Sequence, residues 1–526
     1  MSLMSVLQRL AVASTGSSPR RAHFQPVPLL LVGVAVFLYL QLFLPNGVSI
    51  FMPADHWIFL ERARQMLEGK ILYRDIFQFT FPGTEATFAA LLKVFGLKVW
   101  IPNAVIIVLG VGLAWLTTSI ARKVLSGANA LLPACLLLSV GFLTWHIASH
   151  HWFSTLPALA ALLVMTGGRD APRIVASGGL CGLSAWCVQT QGGTALAGLA
   201  LFLVWERSQK KQEWRRLLRN ESILLGSFSA TLVLTNAYFA WRGGLAPFFR
   251  DTVVSVLRYQ PTYTPANSYH VYMGYFGRWQ WWEVWPQVFL STTIPLVYVL
   301  FLFVYRRRRE RIPYQEKECM MLVALVGALM LLGMAPAPSA NRLGFVSPPA
   351  FILMAWMLGS NHPICRPLLR WLWFGALLSA VTVLYATIGR ENVWFAYLDL
   401  PTGRVAFLDR VWFQEYRWLR DRAAPGDYFF GGNCAYYYYP LDLEPPSDVS
   451  FFTAFNITRP GQVARLVGGL ESHHVRFVMW QTVLDHPPYY DPAADHLGPL
   501  RTYVRSHYRS VITFPVMRDE LLERER

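Results

Sequence analysis

Cysteine is scarce and placed where it cannot brace a soluble domain. Of six cysteines, Cys135, Cys181, Cys187, Cys319 and Cys365 lie in or beside apolar runs, and Cys434 alone lies in an extracytoplasmic soluble segment. One thiol makes no internal disulfide, so the tail must hold together by its core. No CxxC or Cys/His spacing occurs, which excludes the small zinc-stapled folds. Residues 1 to 26 carry charge without an apolar signal core, and no small-residue cleavage pattern follows the first apolar run. That run reads as an uncleaved anchor. Neither an internal repeat of roughly 20 to 50 residues nor a low-complexity segment is present, which excludes solenoids and arrays. Charge is also sparse: 15% of 526 residues, against 54% hydrophobic ones.

That balance, with a mean hydropathy of +0.33, excludes a soluble protein of this length. Apolar runs able to cross a hydrocarbon core of roughly 30 Å recur from Leu29 to Ile388. There are about eleven by windowing, near 27 to 45, 101 to 121, 128 to 147, 153 to 167, 174 to 188, 193 to 206, 222 to 241, 286 to 305, 319 to 335, 345 to 358 and 370 to 388. Arg20 and Arg21, Arg122 and Lys123, Arg169 and Arg173, Lys210 to Arg219, Arg306 to Arg309, and Arg366 with Arg370 fall on alternate loops. Short basic loops stay cytoplasmic, so all of these lie on one side. The N-terminus is then cytoplasmic and the tail after Arg390 lies on the far side. The net charge of +16 sits largely in those loops, against anionic headgroups of the bilayer; no nucleic-acid partner is expected. The run "YRRRRERIPYQEK" is a stop signal for the helix before it.

The expected fold is an α-helical polytopic membrane protein with about eleven transmembrane helices and a C-terminal extracytoplasmic α/β domain. The boundaries are a cytoplasmic segment 1–26, a membrane module 27–390 with external loops 46–100 and 242–285, and the domain 391–526. In the first loop, Phe59, Ala63, Met66 and Leu67 share a helical face, and Gly69 is placed to end it, which describes a helix along the membrane surface. The run "ATFAALLKVFGLKVW" is broken by Lys93 and Lys98; if it crossed, the later basic loops would fall on the wrong side, so it reads as interfacial or re-entrant. In the tail, "RVWFQEYRWLRDRAAPGD" reads as a helix before the strand "YFFGG", and "RPGQVARLVGGLESHH" as a helix before "VRFVMWQTV". "LGPLRTYVRSHY" and "RSVITFPV" repeat the alternation.

Chemistry should sit in the external loops. Asp55 opens the surface helix just outside the membrane, where partial loss of water raises a carboxylate's basicity and fits it to take a proton from a hydroxyl. An Asp in that place is equally an ordinary helix N-cap, and the two uses are compatible. Arg62 returns to nearly the same helical face seven residues on, able to pair with the acid or hold a phosphate, while Glu61 points elsewhere. Arg74 and Asp75 follow in the packed "YRD", with Lys70 read as a solvated surface residue. His146, His150, His151 and Trp152 mark the outer end of the third span; a histidine pair binds a metal or hydrogen-bonds a sugar, and here it lacks a matching carboxylate spacing. Gln189 and Gln191 sit at the next outer helix end. The middle loop packs Tyr259, Tyr263, Tyr269, Tyr272, Trp279, Trp281, Trp282 and Trp285, an interfacial belt whose rings also make stacking floors for sugars. Arg342, amid Pro and Gly in "PSANRLGFVSPP", sits at an outer helix end where a cation neutralises a phosphate.

Taken together, "PADHWIFLERARQMLEGKILYRD", the Pro-Gly turn after it and "KVWIPNAVIIVLGVGLAWLTTSIARKVLSG" resemble the GT-C glycosyltransferases: the dolichyl-phosphate-mannose protein mannosyltransferases, the aminoarabinose transferases of lipid A, and the bacterial transferases of galacturonic acid and related sugars to lipopolysaccharide. The likeness runs from about Leu29 to Arg390 in layout and is specific chiefly in the first loop. It implies an inverting transferase of a bacterial inner membrane, taking a sugar from a polyprenyl-phosphate donor to a membrane-associated glycolipid, lipopolysaccharide or protein acceptor. Asp55 would act as general base, Arg62, Arg74 and Arg342 would bind the lipid phosphate, and Glu61, Asp75, His150, His151, Gln189 and Gln191 are the substrate-binding candidates. Two positions depart from the pattern. His56 follows Asp55 where many relatives have a second acid, and His150 and His151 stand where they often carry an Asp, so no metal ligand or cofactor is assigned. The competing reading is a flippase or transporter of a lipid-linked glycan, using the same cations to hold its cargo.

Overall fold

The computed structural model describes residues 26–525 except 143–145, 212, 256, 258–280, 336–338, 360–364, 389–393, 433–434, 453–458, 487–489, 491–496 and 515–518. Tyr259, Tyr263, Tyr269, Tyr272, Trp279, Cys434 and the segment 1–25 lie outside the described residues. The first helix, α1 (Pro26–Leu42), runs into a short strand, β1 (Ser49–Ile50), then the surface helix α2 (His56–Leu67) and α3 (Gly83–Phe95). The bundle continues as α4 (Ile101–Ala121), α5 (Leu132–Leu136, drawn out as a π-helix to Phe142), α6 (His150–Thr166), α7 (Ala171–Cys187), α8 (Gln189–Lys210), α9 (Trp214–Gly243) and the short α10 (Leu245–Phe249). After it come α11 (Trp281–Arg308), α12 (Tyr314–Met334), the short α13 (Ala340–Phe345), α14 (Ser347–Gly359) and α15 (Cys365–Ile388).

Helices therefore occupy every position where an apolar run was expected to cross. Among the described residues four helices, Ile101–Ala121, Trp214–Gly243, Val288–Arg308 and Tyr314–Met334, are by length and composition long and apolar enough to span a membrane. Their outward faces are apolar: Val108, Leu234, Val299 and Phe303 are each more than half exposed. Water does not tolerate such continuous surfaces, and lipid does. Close helix contact depends on small residues. A Cβ on Gly178 of α7 would lie 2.4 Å from the Leu224 carbonyl oxygen of α9, so only glycine admits that approach.

The tail carries β2 (Ala396–Leu400), β3 (Gly403–Phe407), α16 (Arg410–Arg420), β4 (Phe429–Gly431), α17 (Tyr438–Leu441), α18 (Pro460–Ser472), β5 (Phe477–Trp480), α19 (Gly498–His507), β6 (Tyr508–Thr513) and β7 (Glu520–Arg524). Four strands form a sheet in the order β4-β5-β7-β6, with β4 and β5 parallel and the other pairs antiparallel. The parallel pair needs a crossover, and α18 lies within it. Val463, Leu466 and Leu470 of that helix pack on Phe430, Val478 and Leu522. The other sheet joins distant parts of the chain, because β1 from the first loop pairs in parallel with β3 from the tail, Ser49 opposite Val405 and Ile50 opposite Ala406. Phe51 then stacks among Trp57, Phe407 and Tyr416 with centroids 4.7 to 5.6 Å apart. Loop and tail are thus one packed body.

Two acids are buried in the tail. Glu415 accepts a 2.7 Å hydrogen bond from the Tyr437 hydroxyl, and burial pushes its carboxyl from 4.5 up to about 8; Asp519 accepts from Gln481 at 3.2 Å and is pushed from 3.8 to about 7 by burial. A folded state with raised carboxylate pKa values holds more protons than the unfolded chain between the two values, so stability falls as pH rises through that window. Thermal melting should therefore show the tail most stable near pH 5 and weaker by pH 8. Glu415→Gln, whose amide oxygen still accepts from Tyr437, should flatten the upper part of that slope.

Candidate active site

The residue before α2 decides the character of the site. Asp55 has right-handed helical backbone angles (φ −58°, ψ −22°), and its side chain makes no cap hydrogen bond. Its carboxylate is thus not spent on the helix end. It is half-buried, and burial pushes the carboxyl above its ordinary 3.8 while the Arg342 guanidinium draws it back. Those two effects have opposite sign, and the first wins.

Arg342 acts on Asp55 through its field, and α13, which carries it, is pressed close to the π-helical end of α5. A Cβ on Gly344 would stand 2.8 Å from the Gly141 carbonyl oxygen, so glycine there is what lets the turn settle. Ser339 accepts the backbone N–H of Arg342 at 3.3 Å and fixes the start of that turn. One residue past Gly344, the Phe345 ring stacks on His151 at 4.6 Å, and His151 lies 4.2 Å from the ring of His150. His150 in turn meets Phe59 of α2 at 5.1 Å. Arg62, one turn beyond Phe59, and Arg342 both act electrostatically on His150. Gln191 donates to the Thr155 hydroxyl at 2.6 Å, which in turn donates to the backbone carbonyls of His151 and Phe345 at 2.9 Å. Four chain segments therefore bring together Asp55, Arg62, His150, His151, Gln191 and Arg342. Nδ1 of both histidines and Oε1 of Gln191 are buried with no hydrogen-bond partner among the described residues, an arrangement that suits polar groups of a ligand.

Behind this cluster stands an acid that sequence reading missed. Glu85, in the first turn of α3, is fully buried; it lies 3.6 Å from Arg62 and accepts from Gln78. Burial raises its carboxyl and Arg62 lowers it. The signal was present as a lone acid after "PG" in an otherwise apolar helix.

Other candidates lie elsewhere. Glu61 is fully buried but faces Arg64, at 2.9 Å, and Gln65. Arg74 and Asp75 pair with each other at 2.8 Å, and Arg74 is largely exposed. Gln189 donates to the backbone of Phe79 at 3.1 Å and Thr252 at 3.5 Å. Among the described residues no three His, Cys, Asp or Glu side chains converge as metal ligands.

No family model matches the chain, and no curated protein matches it in sequence. Solved structures match in fold. The structure of ArnT from Cupriavidus metallidurans bound to undecaprenyl phosphate aligns at 14% identity over 95% of this chain and 98% of that one, with a TM-score of 0.59. Its apo form gives 13%, 94%, 97% and 0.55. The archaeal oligosaccharyltransferase AglB from Archaeoglobus fulgidus, in complex with an inhibitory peptide and a dolichol-phosphate, aligns at 13% over 95% of this chain and 74% of that chain, with a TM-score of 0.50. Identities this low speak to architecture alone. The alignment with ArnT runs nearly end to end in both chains. This chain is an integral membrane protein with the fold of the GT-C glycosyltransferases.

Proposed function

We propose that the protein transfers a sugar from a polyprenyl-phosphate donor to an acceptor hydroxyl, with inversion, on the outer face of a bacterial inner membrane. The observation that carries this reading is the placing of Asp55: a half-buried carboxylate, free of capping, in the field of Arg342. Asp55 takes the proton of the acceptor hydroxyl as its oxygen bonds to the anomeric carbon. The bond from that carbon to the phosphate oxygen breaks, and the lipid phosphate leaves with the electron pair. Arg342 and Arg62 receive that charge, and electrostatic stabilisation of this kind is commonly the largest single contribution to such a step. His150, His151 and Gln191 offer buried polar atoms to sugar hydroxyls.

The reading places the N-terminus in the cytoplasm and the helices at the eleven positions across the membrane. The β1–β3 pairing supports it, since the first loop and the tail must then share one side, as an odd number of crossings requires. Their separation in sequence makes that agreement independent of the basic-loop count. The ArnT and AglB structures hold undecaprenyl phosphate and dolichol-phosphate respectively, which supports a lipid-phosphate donor here.

Purified protein in nanodiscs, given a polyprenyl-phosphate sugar of known anomeric configuration and a membrane extract as acceptor, should release free lipid phosphate. NMR of the product should show the opposite configuration at the transferred carbon. Movement of the intact glycolipid across the bilayer without any cleavage would replace this reading with that of a carrier.

A further inference from the structure

A polar cavity lies away from Asp55. It is a cleft of about 760 Å³ bounded by three separate parts of the chain: Tyr73 to Phe77 of the first loop, Arg250 and Asp251 after α10, and the tail around α18. Its volume is that of a small-molecule site, roughly 300–1,000 Å³. Tyr73 forms the partition: it lines the cleft and is electrostatically coupled to Glu85 and Arg62 behind it.

Four arginines face this space, Arg74, Arg250, Arg459 and Arg465, against two carboxylates, Asp251 and Asp448. The manner of their pairing matters more than the count. Arg465 grips Asp448 through Nε and Nη2 at 3.0 and 2.7 Å, and Arg74 grips Asp75 through the same edge at 2.9 and 2.8 Å. Arg250 uses Nε on Asp251 at 2.9 Å. Each guanidinium is thereby aimed by an acid along one edge, leaving the N–H groups of Nη1 on the other. All three side chains stay more than half exposed, at 55%, 57% and 58% for Arg74, Arg465 and Arg250. A planar fork held in this way is suited to a second carboxylate or phosphate, and a lysine would not offer it.

The wall itself is held in an uncommon conformation. Tyr73 has φ +70°, a left-handed value costly for an aromatic residue. It is kept there by its hydroxyl, which donates to the Thr80 carbonyl at 2.8 Å, and by its backbone N–H, which donates to Ile76 at 2.8 Å. Strain maintained by its surroundings gathers at ligand clamps. Between the cations, Gln462, Ser447 and Ser472 line the cleft. Gln462 Oε1 accepts from the Arg459 backbone N–H and the two hydroxyls donate to the Val449 and Gly469 carbonyls, which leaves the Gln462 amide N–H groups and the remaining hydroxyl lone pairs for sugar hydroxyls.

We infer that this cleft binds an acidic saccharide, whose carboxylate or phosphate groups bond the outer edges of Arg74, Arg250 and Arg465. That this saccharide is the remote part of the acceptor rests on the glycosyl-transfer reading above. Anionic phospholipid headgroups share the chemistry, but the mixture of aimed cations with neutral hydrogen-bonding groups favours a sugar.

The test is binding, independent of turnover. Full-length protein in phosphatidylcholine nanodiscs is titrated with trigalacturonate and with maltotriose, a neutral trisaccharide. Trigalacturonate should bind and maltotriose should not, and Arg250→Gln with Arg465→Gln should weaken binding at least tenfold. Arg465→Lys, which keeps the charge and loses the fork, should weaken it less, and thermal melting checks that each variant is folded. Asp55→Asn should bind as the wild type does while losing transfer, and wild-type protein that binds trigalacturonate yet transfers nothing overturns the catalytic reading and leaves the cleft standing. Equal binding of both sugars, or full binding by the double variant, overturns the cleft assignment. Loss of trigalacturonate binding in nanodiscs made with phosphatidylglycerol would assign the cleft to headgroups and overturn it also.

Discussion

Replacing Asp55 by Asn should lower sugar transfer about 10²- to 10⁴-fold, the span a positioned proton acceptor contributes, with the fold intact. Asn keeps the shape and removes the basic oxygen. Because the Asp55 side chain caps nothing, the substitution costs α2 no hydrogen bond, and thermal melting should move little. Single-turnover kinetics with saturating donor separate chemistry from binding. The pH profile supplies an independent sign. A general base works deprotonated, so the rate should fall as pH drops through a carboxyl value raised above 3.8 by burial. His56, adjacent in sequence, is pushed down to about 3 by its own burial and adds no limb near neutrality. Undiminished transfer by Asp55→Asn, or an acid limb that persists in that variant, would remove Asp55 from the mechanism.

What could be read in advance follows from the range of the forces involved. Helix positions were legible because lipid demands long apolar runs, and each apolar run does hold a helix. In the tail, α16, α18, α19 and the strands β4, β5 and β6 lie where local periodicity put them. The strand β7 was not legible: "ELLER" is made of good helix formers, and it becomes a strand because β5 and β6 lie on either side of it. The two-residue β1 has no local signature: its strand partner among the described residues is β3, some 350 residues away, and nearby it has a single bridge, from Ser49 to Phe43.

The site divides along the same line. Asp55 and Arg62 could be put on one helical face from spacing alone. Their neighbours could not, because Arg342, His150 and Gln191 arrive from three other segments by tertiary packing. Arg74 looked equivalent to Arg342 as a loop cation, yet it lines the cleft around α18. Glu61, a substrate-binding candidate in the sequence, is buried against Arg64 and Gln65, and that pairing gives the other large effect expected of a single substitution.

Arg64→Met should destabilise the protein by about 3–5 kcal/mol, the cost of breaking a buried ion network from one side. The Arg64 side chain is only 4% exposed and lies 2.9 Å from Glu61, 2.8 Å from Glu68, 3.3 Å from Asp442 and 2.7 Å from Glu444. It also donates to the Leu443 carbonyl at 2.9 Å. One guanidinium thereby joins the surface helix to the tail. Lys70, on Glu444 at 3.0 Å, is too exposed to replace it. Without Arg64, Glu61 is left fully buried; burial already raises its carboxyl to about 7 against the pull of Arg64. Removing that pull raises it further, and the variant should lose most stability above neutral pH, where Glu61 must ionise. A second change, Glu61→Gln in the Arg64→Met background, removes the orphaned charge and should recover part of the loss. Hydrogen exchange locates the effect: amides at 438–444 and in α2 should open together in Arg64→Met, ahead of the bundle. Because α2 starts immediately after Asp55 and carries Arg62, transfer should fall in the same variant even though Arg64 touches none of the reacting groups. If melting and exchange in Arg64→Met match the wild type, the tail is held by β1–β3 and the aromatic stack around Phe51 alone, and the ion network contributes nothing to placing the catalytic helix.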